Sequence, residues 1–295
     1  MKILLPTDGS EYSEAAAKFL LKLHWSSDDE ISILHVISEE PFQDSEDYYI
    51  RRIREVKHSI APKILANIMN ILQSVPAKID TTILTGYPDA CIIDAAIGRD
   101  ADLIVMGAKR LKGIQSHIVG SVTKAVSIDS PKPILVIKPS PESISGRIKI
   151  LFATDGSDHA WKAGEILLSI PFHDTTEITV LHVITPAFYD IPEQYMSKMD
   201  ERMKEELERL MNKEFRGSDE VIARTVYSLR SRFPHVDSLT KIGDPSDEIL
   251  QTAHELRPDI ITLGSKGMGG FRGLIGSISR YILSMAECSV LIVKT

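Results

Sequence analysis

Two segments of the chain combine glycine, serine and basic residues in a way that suits phosphate binding. They span residues 107–121 and 264–277, and an amphipathic pattern follows the Gly-Ser pair at the end of each. Glycine lets the backbone approach an anion closely and adopt positive φ. A Gly-Ser pair at a helix start adds N–H groups, a hydroxyl and the positive end of the helix dipole. Positive charge comes from Lys109, Arg110, Lys266 and Arg272.

Each segment therefore predicts a phosphate-binding loop, and the alternative is a flexible connector that ends in a helix cap. Two such loops at corresponding places in the chain favour phosphate more than one loop alone would. Neither loop contains the G-x-x-x-x-G-K-[ST] pattern of Walker-type nucleotidases. In the second loop, Arg272 stands where the G-x-G-x-x-G pattern that begins at Gly267 needs its third glycine. Neither of these nucleotide-site classes is supported.

A Thr-Asp-Gly-Ser element also occurs twice, at residues 7–10 and 154–157. Its aspartate can accept hydrogen bonds from the amine of a base or from a ribose hydroxyl. The alternative is that the element only caps the next helix. Both roles are compatible, because Ser10 and Ser157 can cap while Asp8 and Asp155 bind.

These elements belong to a long internal repeat. Residues 2–10 return as residues 149–157, and residues 31–38 return as 178–185, both with an offset of 147. Residues 101–107 and 133–138 return with offsets of 157 and 156. Matching blocks in the same order indicate two copies of one domain rather than a solenoid of short repeats. We predict domains at 1–139 and 148–295 with a Pro- and Ser-rich linker at 140–147.

The repeat contains no recurring arrangement that would support catalysis. His35 and His182 occupy equivalent places between apolar neighbours, which favours hydrogen-bonded core histidines over general bases. No Ser/His/Asp set recurs in both halves at suitable spacing. Cys91 and Cys288 do not match in position, which favours two reduced thiols over a disulfide framework or a metal site. We predict no catalytic residue and no metal site.

Short apolar runs alternate with longer amphipathic segments in both halves, which predicts an α/β fold with a parallel, right-handed sheet. Ligands of such sheets bind beyond the carboxyl ends of the strands, at the topological switch point. The repeated loops follow the first and fourth strands, so we expect them to meet there. The predicted strands lie at 2–6, 31–37, 78–84, 102–107 and 133–138, and at 148–153, 177–184, 235–242, 259–264 and 289–294.

The second half has a longer crossover between its second and third strands, since the offset grows there by ten residues. This crossover carries apolar side chains at helical spacing, which predicts packing against the sheet more than a groove for a partner. The adjoining acidic run at 205–208 predicts a solvated face. The apolar stripe consists of Met196, Met199, Met203, Leu207 and Leu210.

Composition excludes several protein classes. The formal net charge of −7 disfavours a nucleic-acid binder, which needs a basic face. No run approaches the roughly 18 apolar residues of a membrane span. The chain begins directly with a predicted strand, so we expect no signal peptide and a cytoplasmic location.

Taken together, these motifs resemble those of a tandem universal stress protein. The resemblance covers nearly the whole chain: Asp-Gly-Ser after strand one, Leu-His-Val in strand two, the glycine loop after strand four, and the closing apolar strand. It implies two five-stranded, Rossmann-like domains of the adenine nucleotide alpha hydrolase-like type. Nucleotide-binding members carry G-x-x-G, nine residues and then G-[ST].

Each half departs once from that pattern. The second half has Gly264 and Gly267 but only eight residues before Gly276-Ser277. The first half has nine residues before Gly120-Ser121, but Arg110 replaces the second glycine. An arginine there either neutralises phosphate or blocks the required backbone path with its Cβ, so the second half is the preferred site.

By resemblance, the nucleotide contacts map onto both halves. In the second half they are Ala153, Thr154, Asp155, Val183, Leu263, Gly264, Lys266, Gly267, Gly276, Ser277 and Ile278. In the first half they are Pro6, Thr7, Asp8, Val36, Met106, Gly107, Lys109, Arg110, Gly120, Ser121 and Val122. Gly276 is expected to need backbone angles that only glycine adopts readily.

The resemblance implies a stress-response regulator that binds ATP, ADP or AMP, with Mg²⁺ accompanying ATP, and acts through conformation or an unidentified protein partner. It implies binding with weak or absent ATP hydrolysis. A scaffold with degenerate pockets and a true hydrolase are the rival hypotheses. We also expect the closing strands 134–137 and 290–293 to cover each other, which makes an intramolecular pseudo-dimer and allows, but does not require, a homodimer.

Overall fold

The computed structural model describes residues 1–38, 48–108, 119–138, 147–186, 199–267 and 275–294. The predicted linker therefore falls outside these ranges except for Arg147. Among the described residues, no helix is long and apolar enough to cross a membrane.

The predicted strands are all present, and their ends lie within two residues of the expected positions. The apolar residues of the inner strands are mostly buried on both faces, as expected of parallel strands that helices cover on both sides. In the two edge strands, Ile83 and Ile242 are exposed. The strands of the first half are β1 (Lys2–Pro6), β2 (Glu30–Ser38), β3 (Lys78–Gly86), β4 (Leu103–Gly107) and β5 (Ile134–Ile137). Those of the second half are β6 (Lys149–Ala153), β7 (Glu177–Ile184), β8 (His235–Ile242), β9 (Ile260–Gly264) and β10 (Ser289–Val293).

Helices connect the strands and form two layers. One layer packs against the sheet face that includes Phe152, and the other packs against the face that includes Leu151 and Ala153. The first layer contains α1 (Glu11–Leu20), α2 (Tyr48–Leu72), α5 (Asp158–Ser169) and α6 (Glu201–Leu229). The second contains α3 (Pro88–Gly98), α4 (Ser121–Asp129), α7 (Pro245–Leu256) and α8 (Ser277–Met285).

All ten strands form one sheet in the order β3-β2-β1-β4-β5-β10-β9-β6-β7-β8. Within each half every pairing is parallel. The chain leaves β1 toward β2 on one side and returns to β4 on the other, and the second half repeats this path around β6 and β9. The ends of the first and fourth strands are therefore neighbours at a topological switch point in both halves.

The two halves join through an antiparallel pair, β5 with β10. The register places Val290 opposite Val136 and Leu291 opposite Leu135, and these side chains are fully buried. The expectation that the closing strands cover each other is confirmed. Because each strand would otherwise be an exposed apolar edge, the pairing satisfies its backbone groups within one chain.

Two lysines reinforce this junction by crossing from one half to the other. Lys138 Nζ donates hydrogen bonds to the carbonyls of Leu283 (2.7 Å) and Ala286 (2.6 Å), at the end of α8. Lys294 Nζ donates to the carbonyl of Ile128 (2.7 Å), in the last turn of α4. A cation at a helix C-terminus meets unpaired carbonyls and the negative end of the helix dipole. Each closing strand thus holds a helix of the opposite half.

The apolar stripe of the long crossover does not pack against the sheet as predicted. Met203 is 60% exposed and Leu210 is 47% exposed, while Leu207 is half-buried. Met199 is half-buried and precedes α6, and Met196 is outside the described residues. With 29 residues, α6 extends about 43 Å, whereas the eight residues of β7 extend about 26 Å. The first turns of α6 therefore reach past the sheet, and its buried residues come later, at Ser218, Thr225 and Leu229. The residues of the acidic run are exposed as expected, apart from Leu207.

Lys138 generates a prediction about stability and pH. Burial lowers the pKa of Lys138 from 10.5 to about 8, whereas burial raises the pKa of the neighbouring Cys288 thiol from 9.0 to about 12. A lysine whose pKa is lower in the folded state binds fewer protons there than when unfolded, so the free energy of unfolding rises with pH above about 8. Cys288 has the opposite effect above about 9, because only the unfolded thiol then ionises. We expect the contribution of Lys138 to raise stability by about 1 kcal/mol between pH 7 and 9.

The measurement is urea unfolding at pH 7, 8 and 9. Lys138→Met should remove this part of the rise, while Lys124→Met, at an exposed site on α4, should keep it. An equal pH dependence in the wild type and Lys138→Met would contradict the prediction.

Candidate functional site

The Thr-Asp-Gly-Ser loops adopt the same conformation at the ends of β1 and β6. In each loop the aspartate Oδ1 accepts a hydrogen bond from the serine N–H, at 3.0 Å in both halves. The glycine N–H donates to the threonine Oγ1, and φ is +78° at Gly9 and +77° at Gly156. This region favours glycine because a side chain there is strained. The loop geometry is therefore encoded locally by the four residues.

The serines of these loops cap the following helices, as predicted. Ser10 Oγ accepts from the N–H of Ser13, and Ser157 Oγ accepts from the N–H of Ala160. Burial would raise the pKa of Asp8, but hydrogen bonds from Ser10 and Ser13 outweigh it and hold this pKa below its ordinary value. Asp8 is therefore a carboxylate at neutral pH.

A glycine at the end of each fourth strand contacts the first turn of the helix that follows strand one. A Cβ on Gly264 would lie 2.8 Å from the backbone carbon of His159, and a Cβ on Gly107 would overlap the backbone of Tyr12. The two switch-point loops are thus in direct contact, which only glycine permits.

Hydroxyl groups connect the same glycines to α4 and α8. Ser279 Oγ donates to the Gly264 carbonyl at 2.8 Å, and Thr123 Oγ1 donates to the Gly107 carbonyl at 3.2 Å. The sequence reasoning missed these two anchors. The sequence does contain a signal for them, because Thr123 and Ser279 match at an offset of 156, the same offset as the Gly-Ser pairs before them.

The N-termini of α4 and α8 differ from those of α1, α5, α6 and α7, whose N-cap Ser or Asp side chains accept backbone N–H groups. The N-caps of α4 and α8 are Gly120 and Gly276, which have no side chain to accept them, and neither first turn contains an acidic residue. A helix start of this kind leaves N–H groups and a positive dipole end for an external acceptor. The arrangement can hold an anion.

The expectation about backbone angles at these N-caps is wrong. Gly276 has φ −63° and ψ 158°, and Gly120 has φ −56° and ψ 157°, which any residue adopts. The two positions differ in the space that is available for a side chain. A Cβ on Gly276 would lie 3.1 Å from the Ser265 carbonyl oxygen, whereas a Cβ on Gly120 would have no neighbour within 4 Å in the described part of the chain.

Gly267 lies against the aspartate of the second half. A Cβ at this position would lie 2.7 Å from Asp155 Oδ2, so any other residue would force the carboxylate to move. The loop after β9 and the loop after β6 therefore meet at this contact. The equivalent position in the first half is Arg110, which lies outside the described residues, as do Lys109 and Arg272.

Four further candidate residues of the second half lie on one side of the sheet, whereas the Thr154 side chain lines a cavity on the other side. Leu263 and Ala153 are buried, while Val183 and Ile278 are partly buried, and all belong to the same apolar cluster. Lys266 is half-buried. The pKa of Lys294 is lowered mainly by burial, and the charge of Lys266 lowers it further. Thr154 is buried and Ser277 is exposed.

The first half repeats this arrangement where it is described. Met106 is buried, and Val36 and Val122 pack against the same cluster from partly buried positions. Pro6 and Thr7 are buried, Asp8 and Ser121 are exposed, and Gly120 is half-buried.

The two strand-two histidines are hydrogen-bonded, as expected. His35 Nδ1 lies 2.8 Å from the Thr7 carbonyl oxygen, and His182 Nδ1 lies 2.8 Å from the Thr154 carbonyl oxygen. Each histidine therefore fixes the backbone of the neighbouring Thr-Asp-Gly-Ser loop. This contact gives each histidine a positioning role.

Comparison with known proteins finds the same family in both halves. The model of the universal stress protein family matches residues 1–138 and 147–294. The chain is 32% identical over 139 residues to universal stress protein MJ0531 of Methanocaldococcus jannaschii, an alignment that spans 46% of this chain and 81% of that protein. It is 31% identical over 136 residues to a universal stress protein of Thermus aquaticus, spanning 46% of this chain and 97% of the relative.

Among solved structures, a universal stress protein from Archaeoglobus fulgidus has a similar fold. The alignment spans 99% of this chain and 98% of that structure, with a TM-score of 0.67 and a sequence identity of 23%. Both halves of the chain therefore belong to the universal stress protein family.

Proposed function

We propose that the second half binds an adenine nucleotide at the switch point between β6 and β9. The observation that carries the proposal is the start of α8. Its N-cap is a glycine, its first turn has no acidic residue, and Lys266 lies on the adjoining loop. Free N–H groups, a dipole end and an ammonium group together favour a phosphate chain.

Neighbouring residues of the second half would contact the base and the ribose of the nucleotide. Val183, Leu263 and Ile278 offer apolar contacts to an adenine ring, and Asp155 offers a carboxylate to ribose hydroxyls. Ala153 and the backbone of Thr154 complete this side of the site. The chemistry fits AMP, ADP or ATP, and ATP would bring its Mg²⁺ as part of the ligand.

The first half forms a second, weaker site in this proposal. Gly107, Gly120, Ser121 and Val122 repeat the second-half arrangement, but Arg110 replaces the glycine that contacts Asp155 in the second half. The domain boundaries at 139 and 148 and the cytoplasmic location belong to the same proposal.

The output of binding is regulatory rather than chemical. The histidines are used in positioning the loops, and the aspartates accept N–H groups of their own loops. Nucleotide-dependent conformation would then act on a protein partner, in one chain or in a homodimer. The rival is a scaffold with degenerate pockets, which calorimetry with ATP and AMP would reveal by the absence of heat. Release of phosphate from ATP at enzymatic rates would contradict a purely regulatory role.

Gly276→Val should weaken nucleotide binding at least tenfold, about 1.4 kcal/mol. Its Cβ would press on the Ser265 carbonyl, and its methyl groups would cover the helix N-terminus where phosphate is expected. The measurement is calorimetric titration with ATP and with AMP.

Gly120→Val is the matched control, because its Cβ meets no described neighbour within 4 Å. It should leave the second-half affinity unchanged. Thermal unfolding of both variants checks that the fold is retained. An affinity of Gly276→Val equal to that of the wild type would remove this loop from the site.

Arg110→Gly should strengthen nucleotide binding in the first half. A positive charge favours phosphate by about 1–2 kcal/mol, and a strained backbone costs about 1–3 kcal/mol, so these effects nearly cancel. The contact between Gly267 and Asp155 indicates that the steric effect is the larger one. A Cβ at position 267 would displace the Asp155 carboxylate, and Arg110 places a Cβ at the equivalent position of the first half.

Titration of Arg110→Gly in the Gly276→Val background isolates the first half. The reciprocal change, Gly267→Arg, should weaken the second half. Weaker binding by Arg110→Gly would show instead that the arginine is a phosphate ligand.

A further inference from the structure

A cavity of about 240 Å³ lies between α5 and α6, beneath the Thr-Asp-Gly-Ser loop of the second half. It is on the sheet face of Phe152, opposite the face of Ala153 and Leu263, so it is separate from the proposed nucleotide site. Phe152 and Leu229 form an apolar floor. The walls carry the hydroxyls of Thr154, Ser157, Thr225 and Ser228.

The internal repeat explains why this cavity exists. Gly9 and Gly156 face Ile64 and Val221, which fixes the alignment of α2 with α6 at an offset of 157. With that alignment, and with the offset of 147 that relates α1 to α5, four first-half side chains are replaced by smaller or more polar ones in the second half. The pairs are Ala17 with Gly164, Ile60 with Gly217, Ile68 with Thr225, and Ile71 with Ser228.

The first half uses three of these side chains as core, whereas Ile60 is 44% exposed. Ala17 and Ile68 are fully buried, and Ile71 packs against the same cluster. Their replacement by smaller residues leaves space between α5 and α6. Phe152, which replaces Leu5, fills part of this space from the sheet, and the cavity is what remains. Hydroxyls in place of isoleucine indicate a polar wall rather than an alternative apolar core.

A buried hydroxyl at the cavity has lost its acceptor. In the first half, Thr7 Oγ1 donates to Ser13 Oγ at 3.0 Å. The residue equivalent to Ser13 is Ala160, which has no hydroxyl, and no described group accepts from Thr154 Oγ1 in its place. Thr154 is only 6% exposed and lines the cavity. An unused donor at this depth favours an acceptor from a ligand.

Further polar capacity faces the same space. Thr225 Oγ1 donates to the Val221 carbonyl at 2.8 Å, which leaves its lone pairs to accept. Ser157 Oγ accepts from Ala160 N–H, which leaves its hydroxyl hydrogen to donate. The cavity thus offers both donors and acceptors above an aromatic floor.

The charges stand at the rim. Asp158, Glu220 and Arg224 are exposed there, and the Arg224 guanidinium stacks over the half-buried Trp161 ring at 4.3 Å. The first half has Asn67 and Glu14 at these places, joined by a hydrogen bond of 2.8 Å. Replacement of that pair by arginine and tryptophan gives the cavity an aromatic entrance.

We infer that this cavity is a binding site for a small neutral aromatic molecule with a hydroxyl group. An apolar cavity of about 150 Å³ binds benzene, so this volume accepts one ring or two fused rings. Phe152 and Trp161 contact the rings, and Thr154 and Thr225 bond the hydroxyl. The interior contains hydroxyls but no charged side chain, which favours a neutral ligand over an ion.

The test uses 2-naphthol as the probe, titrated into the full chain without nucleotide. We expect one molecule per chain. The variant Gly164→Ala/Thr225→Ile/Ser228→Ile introduces the residues that the first half carries at the same places, and it should bind at least tenfold more weakly. Lys162→Met, on the exposed side of α5, should bind like the wild type.

Thr225→Ile alone gives the same answer with a smaller loss if the triple variant does not fold. The anion 2-naphthoate should bind more weakly than 2-naphthol. Absence of 2-naphthol binding, or equal binding by the wild type and the filled variants, would overturn the site. Tighter binding of 2-naphthoate would overturn the neutral ligand class.

Discussion

The antiparallel pairing of β5 with β10 is the constraint on which the rest of the molecule depends. Each half is a parallel sheet that ends in a short, almost entirely apolar strand, and such an edge is a template for aggregation when it is exposed. Pairing the two edges satisfies their backbone groups and buries both sets of side chains. It also fixes the halves in a two-fold-like relation, in which Lys138 and Lys294 each hold a helix terminus of the opposite half. Because Lys294 then lies near Lys266, the junction contributes to the electrostatics of the second-half loop.

Much of this architecture could be predicted from the sequence because the signals were local and occurred twice. The strands were visible as short apolar runs, and the serine caps followed from the Thr-Asp-Gly-Ser pattern. The prediction that the apolar stripe of α6 packs against the sheet was wrong, and the reason lies in the length of the helix. Helical spacing tells which residues share a face, but not whether that part of the helix overlaps the sheet, and Met203 lies beyond it. The backbone angles at Gly276 could not be predicted either, since glycine is equally suited to a crowded site and to positive φ.

The two halves also serve as internal references for one another. Where both keep a residue type, the contact is the same: Gly107 and Gly264 each press on a helix backbone, and His35 and His182 each hold a threonine carbonyl. Where they diverge, the geometry identifies what the divergence changes. Thr154 has lost the acceptor that Thr7 retains, and α6 has small residues where α2 has isoleucines. Sequence comparison of the halves shows these differences, but only the packing of α5 against α6 shows that they surround one space.

These divergences accumulate around one loop, residues 154–158. Its aspartate contacts Gly267 on the side of the proposed nucleotide site, while Thr154 and Ser157 line the cavity on the other side of the sheet. The N–H of Ser157 donates to Asp155, and the Ser157 hydroxyl caps α5. A displacement of Ser157 from either side would therefore disturb both its bond to Asp155 and the start of α5.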